Sequence, residues 1–408
     1  MPVRNKGGGF VDKIKEAENK RNLWLDSVKS KVSSRDFELL ERASAVLTDN
    51  LIEGTDESWG ELCGILPSPR EYKGIWNWDT AFHALGLSHF DTELAFEQFG
   101  IFFSCQLPDG MFPDVIYQSG ERKDTYSKPP VFPWAFVEVY KRSPDKEKLK
   151  TAYEKYRLNE QFWRTQRYDE KYGLFHYDAK KDDDYITHVK WESGMDNSPR
   201  WDDKNSEWLA ADLNGFMVMF YDALEFMATE LEKTDEAEKW HRKSAELKEK
   251  INAVLWNDEA GIYIDVDRTN GEFSDVITSA SFVPMFAGCT SEKQAEKIAV
   301  CAADRNKFCP AMPTVAYDST KYSSSDYWRG PVWLNYLYFA VNGLKKYGYD
   351  NMAREIRETV LDFAFNEKRD IFEYYDSKSG EGLGAIHFGW SAVFIIELII
   401  DKLTEENL

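Results

Sequence analysis

Twelve segments with apolar residues at helical spacing follow one another along most of the chain, in pairs separated by loops. Paired helices of this kind can bury their apolar faces only by packing helix against helix. A further helix is expected at about 11–31, so the sequence predicts an all-α fold. The twelve segments, whose ends are uncertain by several residues, are 35–52, 76–89, 91–105, 131–142, 145–168, 206–232, 235–256, 278–286, 290–302, 329–345, 349–366 and 387–404.

The two members of several pairs differ in composition. The segments Trp76 to Phe90 and Arg329 to Asn342 are rich in aromatic and small residues, whereas Lys233 to Lys250 carries the Glu and Lys residues of a solvent-exposed helix. This difference predicts two concentric layers of six helices, an (α/α)6 toroid in which loops at one end surround a funnel. Strand-like segments at 172–177, 261–266 and 371–375 predict small β-hairpins on the loops.

The chain has no Pro- or Ser-rich linker in its middle. We therefore expect one domain at 35–408, preceded by a helical extension at 1–34. A length of 408 residues and a hydrophobic content of 43% are enough for a substantial core.

Charge and residue usage exclude several classes of partner. A formal net charge of −20 argues against nucleic acid, because a phosphate backbone is bound by concentrated Lys and Arg. The sequence has neither an apolar run of about 20 residues nor a signal-peptide pattern, so we expect no membrane partner and a cytoplasmic location. Five cysteines without a Cys-x-x-Cys pair indicate reduced thiols, and six histidines show no His-Glu-x-x-His spacing. We expect neither a metal nor another cofactor, and the oligomeric state stays open.

The segment Glu192 to Trp201 places carboxylates, an arginine and a tryptophan in what we expect to be an irregular, unhelical turn. A carboxylic acid can protonate a leaving oxygen, a guanidinium can bind hydroxyls, and an indole can stack on a sugar. These residues therefore predict a carbohydrate site. The structural alternative is a surface turn before a helix that starts after Ser198-Pro199.

Two other segments join charged and aromatic residues at the start of predicted inner helices. Gly74 to Thr80 contains Asp79, which either accepts hydrogen bonds from sugar hydroxyls or only complements the helix dipole. Ser325 to Trp333 contains Arg329, which either contacts a ligand or pairs with Asp326.

A third segment, Phe372 to Gly384, alternates apolar and polar residues before a Gly-rich loop. Glu373 is its best catalytic candidate, because Asp376 and Glu381 have the spacing of turn residues. The long aperiodic loop Gln106 to Pro130 is either functional or a disordered insertion.

Five ordered blocks resemble the signature blocks of glycoside hydrolase family 63, and related blocks occur in trehalases of family 37. The resemblance spans about residues 60–400. It implies an (α/α)6 barrel that hydrolyses α-glycosides with inversion, and compact members acting on mannosylglycerate or glucosylglycerate are the most similar. The blocks are Trp78-Asp-Thr80, Glu192-Ser-Gly-Met-Asp-Asn-Ser-Pro-Arg-Trp201, Tyr327-Trp-Arg-Gly-Pro-Val-Trp333, Glu373-Tyr-Tyr-Asp376 and Phe388-Gly-Trp390.

The resemblance also implies residue roles. The family's general acid matches Asp196 and its general base matches Glu373. Inversion needs the two carboxyl groups about 6.5–9.5 Å apart. Asp196 must keep a proton, which requires burial or a like charge such as Glu192, while Glu373 must stay ionised. The substrate-binding residues expected around the pair are Trp76, Trp78, Asp79, Gln106, Tyr117, Trp191, Gly194, Arg200, Trp201, Arg329, Trp333 and Trp390.

The expected activity is exo-acting hydrolysis of glucosylglycerate or mannosylglycerate, with Arg122, Tyr117 and Tyr126 available for the glycerate carboxylate. An α-glucosidase acting on neutral kojibiose-, nigerose- or trehalose-like sugars is an alternative. A sugar epimerase or isomerase on the same toroid is another, although N-acylglucosamine 2-epimerases use histidines and only His387 lies inside a signature block here. A binding protein without catalysis is disfavoured by the presence of both Asp196 and Glu373.

Overall fold

The computed structural model describes residues 7–54, 59, 62–202 and 207–406, leaving aside the side chains of 7–11 and 406. Residues 1–6 of the expected extension and residue 206, where one predicted segment begins, lie outside this range. The described residues form helices α1 (Gly7–Val28), α2 (Ser34–Asp49), α3 (Asn77–Leu87), α4 (Thr92–Ser104), α5 (Phe132–Arg142), α6 (Lys146–Gln166), α7 (Tyr185–Ser193), α8 (Ala211–Glu230), α9 (Thr234–Val254), α10 (Val283–Phe286), α11 (Glu292–Ala303), α12 (Leu334–Lys346), α13 (Asp350–Asn366) and α14 (Gly389–Glu406).

Six of these helices form a closed inner ring. Helix α3 contacts α5, α5 contacts α8, α8 contacts α10, α10 contacts α12, α12 contacts α14, and α14 returns to α3. Helices α2, α4, α6, α9 and α13 pack outside the ring, and α11 follows the short inner helix α10. The predicted (α/α)6 toroid is therefore confirmed.

Burial patterns explain which helix lies in which layer. Inner helix α8 is buried around most of its circumference, from Ala211 to Ala228. Outer helix α9 buries only Trp240, Ser244, Leu247 and Ile251, which lie on one face at steps of three and four residues.

Helix starts also differ between the layers. Outer helices α2 and α6 begin at side-chain caps, where Ser33 and Asp145 accept hydrogen bonds from backbone N–H groups of the first turn. Inner helices α3, α8 and α12 begin without a side-chain cap. The first turn of α3 belongs to one of the five sequence blocks, and α12 begins directly after another.

Short antiparallel strands lie in the loops, as expected from the strand-like segments of the sequence. In the hairpin β12–β13, the register shifts between Phe372 and Tyr374, so Glu373 lies at an irregularity of the pairing. The strands are β1 (Leu51–Glu53), β2 (Cys63–Ile65), β3 (Gly74–Trp76), β4 (Val115–Tyr117), β5 (Arg122–Lys123), β6 (Tyr168–Asp169), β7 (Leu174–Phe175), β8 (Trp208–Leu209), β9 (Trp256–Asn257), β10 (Ile262–Tyr263), β11 (Val266–Asp267), β12 (Phe372–Tyr375) and β13 (Gly382–Ile386).

Two local expectations need correction. The segment from Glu192 to Trp201 is not wholly unhelical, because Glu192 and Ser193 end helix α7 and Pro199–Trp201 forms a 3₁₀ turn. The aperiodic loop 106–130 contains β4 and β5, which extend a three-stranded sheet with β3. Among the described helices, none has the length and apolar composition needed to cross a membrane.

Candidate active site

A small pocket is lined by residues from all five sequence blocks. It contains seven of the predicted site residues. A wider groove on the outer helices, between α6 and α9, contains none of these blocks. The pocket is lined by Pro67, Tyr72, Trp76, Trp78, Asp79, Lys128, Gly194, Asp196, Tyr327, Trp328, Glu373, Phe388 and Trp390.

Asp196 lies just after the end of α7, where the chain passes close to Trp78. Gly194 ends the helix with a φ of 75°, and a Cβ at this position would lie 2.4 Å from Cη2 of Trp78. Glycine is therefore required by both the left-handed backbone and the close approach. Asn197 fixes the following turn, because its Oδ1 accepts a hydrogen bond of 2.8 Å from the backbone of Trp328.

Asp196 is half-buried, and its buried Oδ1 has no hydrogen-bond partner among the described residues. Burial raises the pKa of Asp196 to about 6, against the lowering effect of the nearby Lys128 ammonium. Asp114 is the like charge that raises this pKa further. A carboxyl group in such a place, with one oxygen free of hydrogen bonds, is suited to carry a proton.

Glu192 is not the like charge that the sequence suggested. Its carboxylate forms two hydrogen bonds of 2.9 Å with the guanidinium of Arg167. It also accepts hydrogen bonds from the backbone N–H groups of Ser127 and Asp178. Glu192 thus ties α7 to two neighbouring loops and does not enter the pocket.

Glu373 is held by more polar partners than Asp196. The Tyr72 hydroxyl donates to Oε1 at 2.8 Å, and the backbone N–H of Ala385 donates to Oε2 at 2.9 Å. Across the hairpin, a Cβ on Gly384 would lie 2.5 Å from Oε2, so the missing side chain makes room for the carboxylate. Burial raises the pKa of Glu373 to about 7, and the charge of Asp196 adds to this rise.

Tyr327 connects the two acids electrostatically. Its hydroxyl lowers the pKa of both Asp196 and Glu373 by hydrogen bonding. The residue has a left-handed φ of 39°, which is uncommon for a side chain of this size. Its main-chain carbonyl accepts a hydrogen bond of 2.8 Å from the indole of Trp333.

A third acid and one lysine complete the charged lining of the pocket. Burial raises the pKa of Asp79 to about 8, and Lys128 opposes this effect. The Lys128 ammonium donates to the carbonyl of Trp191 and lies 3.5 Å from Oδ1 of Asp114. Asp79 can therefore carry a proton near neutral pH and donate as well as accept hydrogen bonds.

Aromatic rings form much of the wall. Trp328 stacks on Trp333 with ring centroids 3.7 Å apart, and Trp78 meets Trp390 edge-on at 4.9 Å. The indole N–H groups of Trp328 and Trp390 are buried without a hydrogen-bond partner in the described part of the chain. Such groups can bind sugar hydroxyls, while ring faces pack against the apolar side of a sugar.

The two predicted arginines lie outside the pocket lining. Arg200 is fully buried, with both terminal nitrogens 3.0 Å from the carboxylate of Asp212 and Nε 2.7 Å from Asp265. Arg329 forms two bonds of 2.8 Å with Asp202. Direct binding of sugar hydroxyls by Arg200 does not fit this arrangement. Arg329 meets Asp326 only at 3.9 Å, so Asp202 rather than Asp326 is its main partner.

Five other predicted residues also lie outside the lining, and hydrogen bonds or packing occupy them. The amide of Gln106 donates to the carbonyls of Gly110 and Lys155. Trp333 stands behind Trp328, and Trp201 packs edge-on against Tyr177 at 6.4 Å. Tyr117 pairs within the small sheet, and Trp191, which is 38% exposed, lies on α7 beside Tyr126.

Six lining residues were not among the predicted site residues. Tyr327, Trp328 and Phe388 belong to blocks that the sequence did single out. Lys128 directly precedes the Pro129-Pro130 pair of the long loop, and no pattern marks Pro67 or Tyr72. Within the described residues, no group of three or more His, Cys, Asp or Glu side chains is arranged to hold a metal ion.

Comparisons with known proteins identify the family of the chain. Residues 72–391 match the family described as the mannosylglycerate hydrolase MGH1-like glycoside hydrolase domain. The mannosylglycerate hydrolase of Rubrobacter radiotolerans is 24% identical, over 82% of this chain and 92% of the relative. A mannosylglycerate hydrolase of Thermus thermophilus is 26% identical, over 81% of this chain and 95% of the relative.

Solved structures are similar as well. The crystal structure of a GH63 mannosylglycerate hydrolase from Thermus thermophilus in complex with glucose has a TM-score of 0.75 and 26% identity, covering 89% of this chain and 100% of that chain. Neutral trehalase Nth1 from Saccharomyces cerevisiae has a TM-score of 0.69 at 17% identity, covering 89% and 82%. The likeness to trehalase concerns the fold alone.

Proposed function

The chain belongs to the mannosylglycerate hydrolase MGH1-like family of glycoside hydrolases, and from this premise we propose that it hydrolyses a small α-glycoside whose leaving group is glycerate. Membership confirms the resemblance on which the five blocks were first grouped. Because the curated relatives are named mannosylglycerate hydrolases, mannosylglycerate is the first substrate to test. Glucosylglycerate is the second.

In the proposed reaction, Asp196 is the general acid. It gives its proton to the glycosidic oxygen as the bond from this oxygen to the anomeric carbon breaks. Glu373 is the general base, which takes a proton from the water that attacks the same carbon from the opposite face. The products are a free sugar of inverted anomeric configuration and glycerate. Proton exchange with solvent then restores both carboxyl groups.

One observation carries this proposal: two carboxyl groups from distant blocks line one small pocket, and the charge of Asp196 raises the pKa of Glu373. Because the two acids share the pocket, they can together carry two protons, one or none. The form with a single proton is the one that an inverting mechanism uses. Substrate binding then has to place that proton on Asp196.

The polar partners of the two acids support the assignment of their roles. Two donors, Tyr72 and the Ala385 backbone, hold the Glu373 carboxylate in a fixed orientation. Hydrogen bonds of this kind favour the charged form that a base needs. Asp196 presents an unpartnered oxygen, which leaves it free to bind a leaving-group oxygen.

The glycone is proposed to bind among Trp76, Trp78, Asp79 and Trp390, which are predicted side chains that line the pocket beside the acids. The proposed role of Arg122 in binding the glycerate carboxylate is weakened. Arg122 is exposed on β5, and its guanidinium donates to the carbonyl of Cys105 at 3.4 Å. Tyr126 is buried beside Asp114. It remains a proposed partner of the glycerate leaving group.

A matched substrate panel tests the function. It contains mannosylglycerate, glucosylglycerate and the corresponding glycosides of neutral glycerol, together with kojibiose, nigerose and trehalose. Faster turnover of at least one glycerate glycoside than of its glycerol counterpart is expected. Turnover of only the neutral sugars would replace the proposal with a neutral α-glucosidase. Interconversion of a free sugar with its epimer, without hydrolysis, would replace it with an epimerase.

A further inference from the structure

Lys128 is the only cationic side chain that lines the pocket within the described residues. It is 6% exposed, and its surroundings are acidic. A buried ammonium requires partners, because moving a charge out of water is costly. Two of its three donors are directed to the Trp191 carbonyl and the Asp114 carboxylate. Its position in the pocket therefore calls for an explanation beyond packing.

The ammonium shares the pocket with both candidate catalytic acids and with Asp79. Its positive charge is stabilised by Asp196 and Asp79 as well as by Asp114. Asp114 is itself buried and neighbours the hydroxyl of Tyr126. Lys128 and Asp114 thus form an ion pair. The lysine lowers the pKa of Asp196, and Asp114 raises it by a smaller amount.

A general acid in a buried site has opposing requirements. Burial helps it to keep a proton, but an acid that is too weak transfers that proton poorly to the leaving oxygen. A nearby cation makes a carboxylic acid stronger, whereas a nearby anion makes it weaker. The Lys128–Asp114 pair supplies both influences at once.

We propose that Lys128 and Asp114 are positioning residues for Asp196, whose opposite charges set how readily Asp196 releases and regains its proton. The inference rests on the proposed role of Asp196 as the general acid. Other groups facing Asp196 are Tyr327 from the segment before α12, Glu373 from β12 and Tyr126 from the long loop. These groups are left intact in the test, so they form a constant background.

The test is a pH titration of Asp196 in the full chain. The aspartate carboxyl carbons are labelled with carbon-13, and their NMR signals are followed as the pH changes. Asp196→Asn identifies the signal. In Asp114→Asn the anion is lost, and the pKa of Asp196 is expected to fall. In Lys128→Met the cation is lost, and the pKa is expected to rise. Each shift should be on the order of one pH unit. The rise is expected even if Asp114 takes up a proton, because the lysine acts more strongly.

A purely structural role would not produce shifts of opposite sign. An Asp196 that titrates unchanged in either variant, or that shifts in the same direction in both, would overturn the proposal. Lys128→Gln, which keeps a donor for the Trp191 carbonyl, replaces Lys128→Met if the latter does not fold. Lys243→Met is the matched control: Lys243 is also partly buried and paired, with Glu160, but it lies on the outer helices. It should leave Asp196 unchanged.

The titration uses no substrate, so it separates the two proposals. Opposite shifts in a protein that hydrolyses no glycoside would refute the proposed function and leave the electrostatic coupling established. Turnover of mannosylglycerate without these shifts would support the proposed function and refute the role of Lys128 and Asp114.

Discussion

The two candidate catalytic residues obtain their properties from different neighbours. Oδ1 of Asp196 has no hydrogen-bond partner among the described residues, whereas both carboxyl oxygens of Glu373 are fixed, one by a tyrosine and one by a backbone amide. Burial raises the pKa of Asp196 to about 6 and that of Glu373 to about 7, so both acids titrate close to neutral pH. The proposed reaction uses the form in which Asp196 carries the proton and Glu373 is ionised.

Asp196→Asn and Glu373→Gln should each reduce kcat/KM by at least ~100-fold on the best substrate of the panel, because each removes one proton-transfer step. Both are close in size to the native residue, so the thermal unfolding midpoint should change little. Glu381→Gln, an exposed residue in the turn of the same hairpin, is the control and should retain activity. Wild-type rates in either active-site variant would remove that residue from the mechanism.

The pH dependence follows from the same pair. Both pKa values are raised, so the single-proton form is populated between about pH 6 and pH 7. Below this range both acids are protonated and the base is lost, and above it both are ionised and the proton donor is lost. A plot of kcat/KM against pH should therefore be bell-shaped with a maximum near neutral pH. A plateau extending from about pH 4 to about pH 6 would contradict this account.

At the scale of elements, the β12–β13 hairpin positions the base. Its pairing is irregular at Glu373, and such irregularities often redirect a side chain next to an active site. Gly384 on the opposite strand combines a φ of 74° with close contact to the Glu373 carboxylate. The backbone conformation at Gly384 therefore affects the orientation of the Glu373 carboxyl group.

Gly384→Ala should displace the Glu373 carboxylate and lower kcat by about ten-fold or more, because the base loses its orientation. Gly348→Ala is a matched control, since Gly348 has a similar φ of 81° but open space where the Cβ would lie. Both variants should lose about 1–2 kcal/mol of stability from the left-handed backbone, measured by urea unfolding. Equal kcat values in the two variants would show that the contact with Glu373 has no catalytic consequence.

The sequence predicted the helices well because helical periodicity reports directly on which face is buried. Helix α7 was missed because its residues Tyr185 to Ser193 lack a clear apolar face, and only Val189, Glu192 and Ser193 are buried. Arg200 was expected to bind sugar, but its partners Asp212 and Asp265 lie outside its sequence block. Spacing within a block does not reveal which distant carboxylates a buried arginine will meet.

The pocket lining was only partly predictable for the same reason. Asp79, Gly194 and Trp390 lie in blocks that combine aromatic residues with charged residues or glycines, so sequence patterns identified them. Lys128 and Tyr72 come from loops without such patterns and reach the pocket only because the ring of helices closes. Their identification requires coordinates.

At the scale of the whole molecule, closure of the inner ring holds the five blocks together. Phe394 on α14 packs against Phe82 on α3 at 4.9 Å and Tyr338 on α12 at 5.1 Å. It therefore joins the last inner helix of the chain to the first. These contacts of Phe394 with Phe82 and Tyr338 form the seam that closes the ring. The relative positions of the pocket residues on α3 and α14 depend on this seam.

Phe394→Ala should lower the free energy of unfolding by about 3–5 kcal/mol, because it removes a fully buried ring and leaves a cavity. Val300→Ala is the control. Val300 is 69% exposed on α11, so its loss should change stability by less than about 0.5 kcal/mol. Similar midpoints of urea unfolding for the two variants would contradict the proposed importance of the seam.

Asp196 and Glu373 are proposed to act on opposite sides of one glycosidic bond, with a water molecule as the nucleophile. Proton NMR during the first minutes of mannosylglycerate hydrolysis tests this arrangement, because the spectrum identifies the sugar anomer before mutarotation mixes the two forms. We expect β-mannose to be formed first from the α-glycoside. If α-mannose is formed first, the configuration is retained, and the assignment of Glu373 as a base acting through water is wrong.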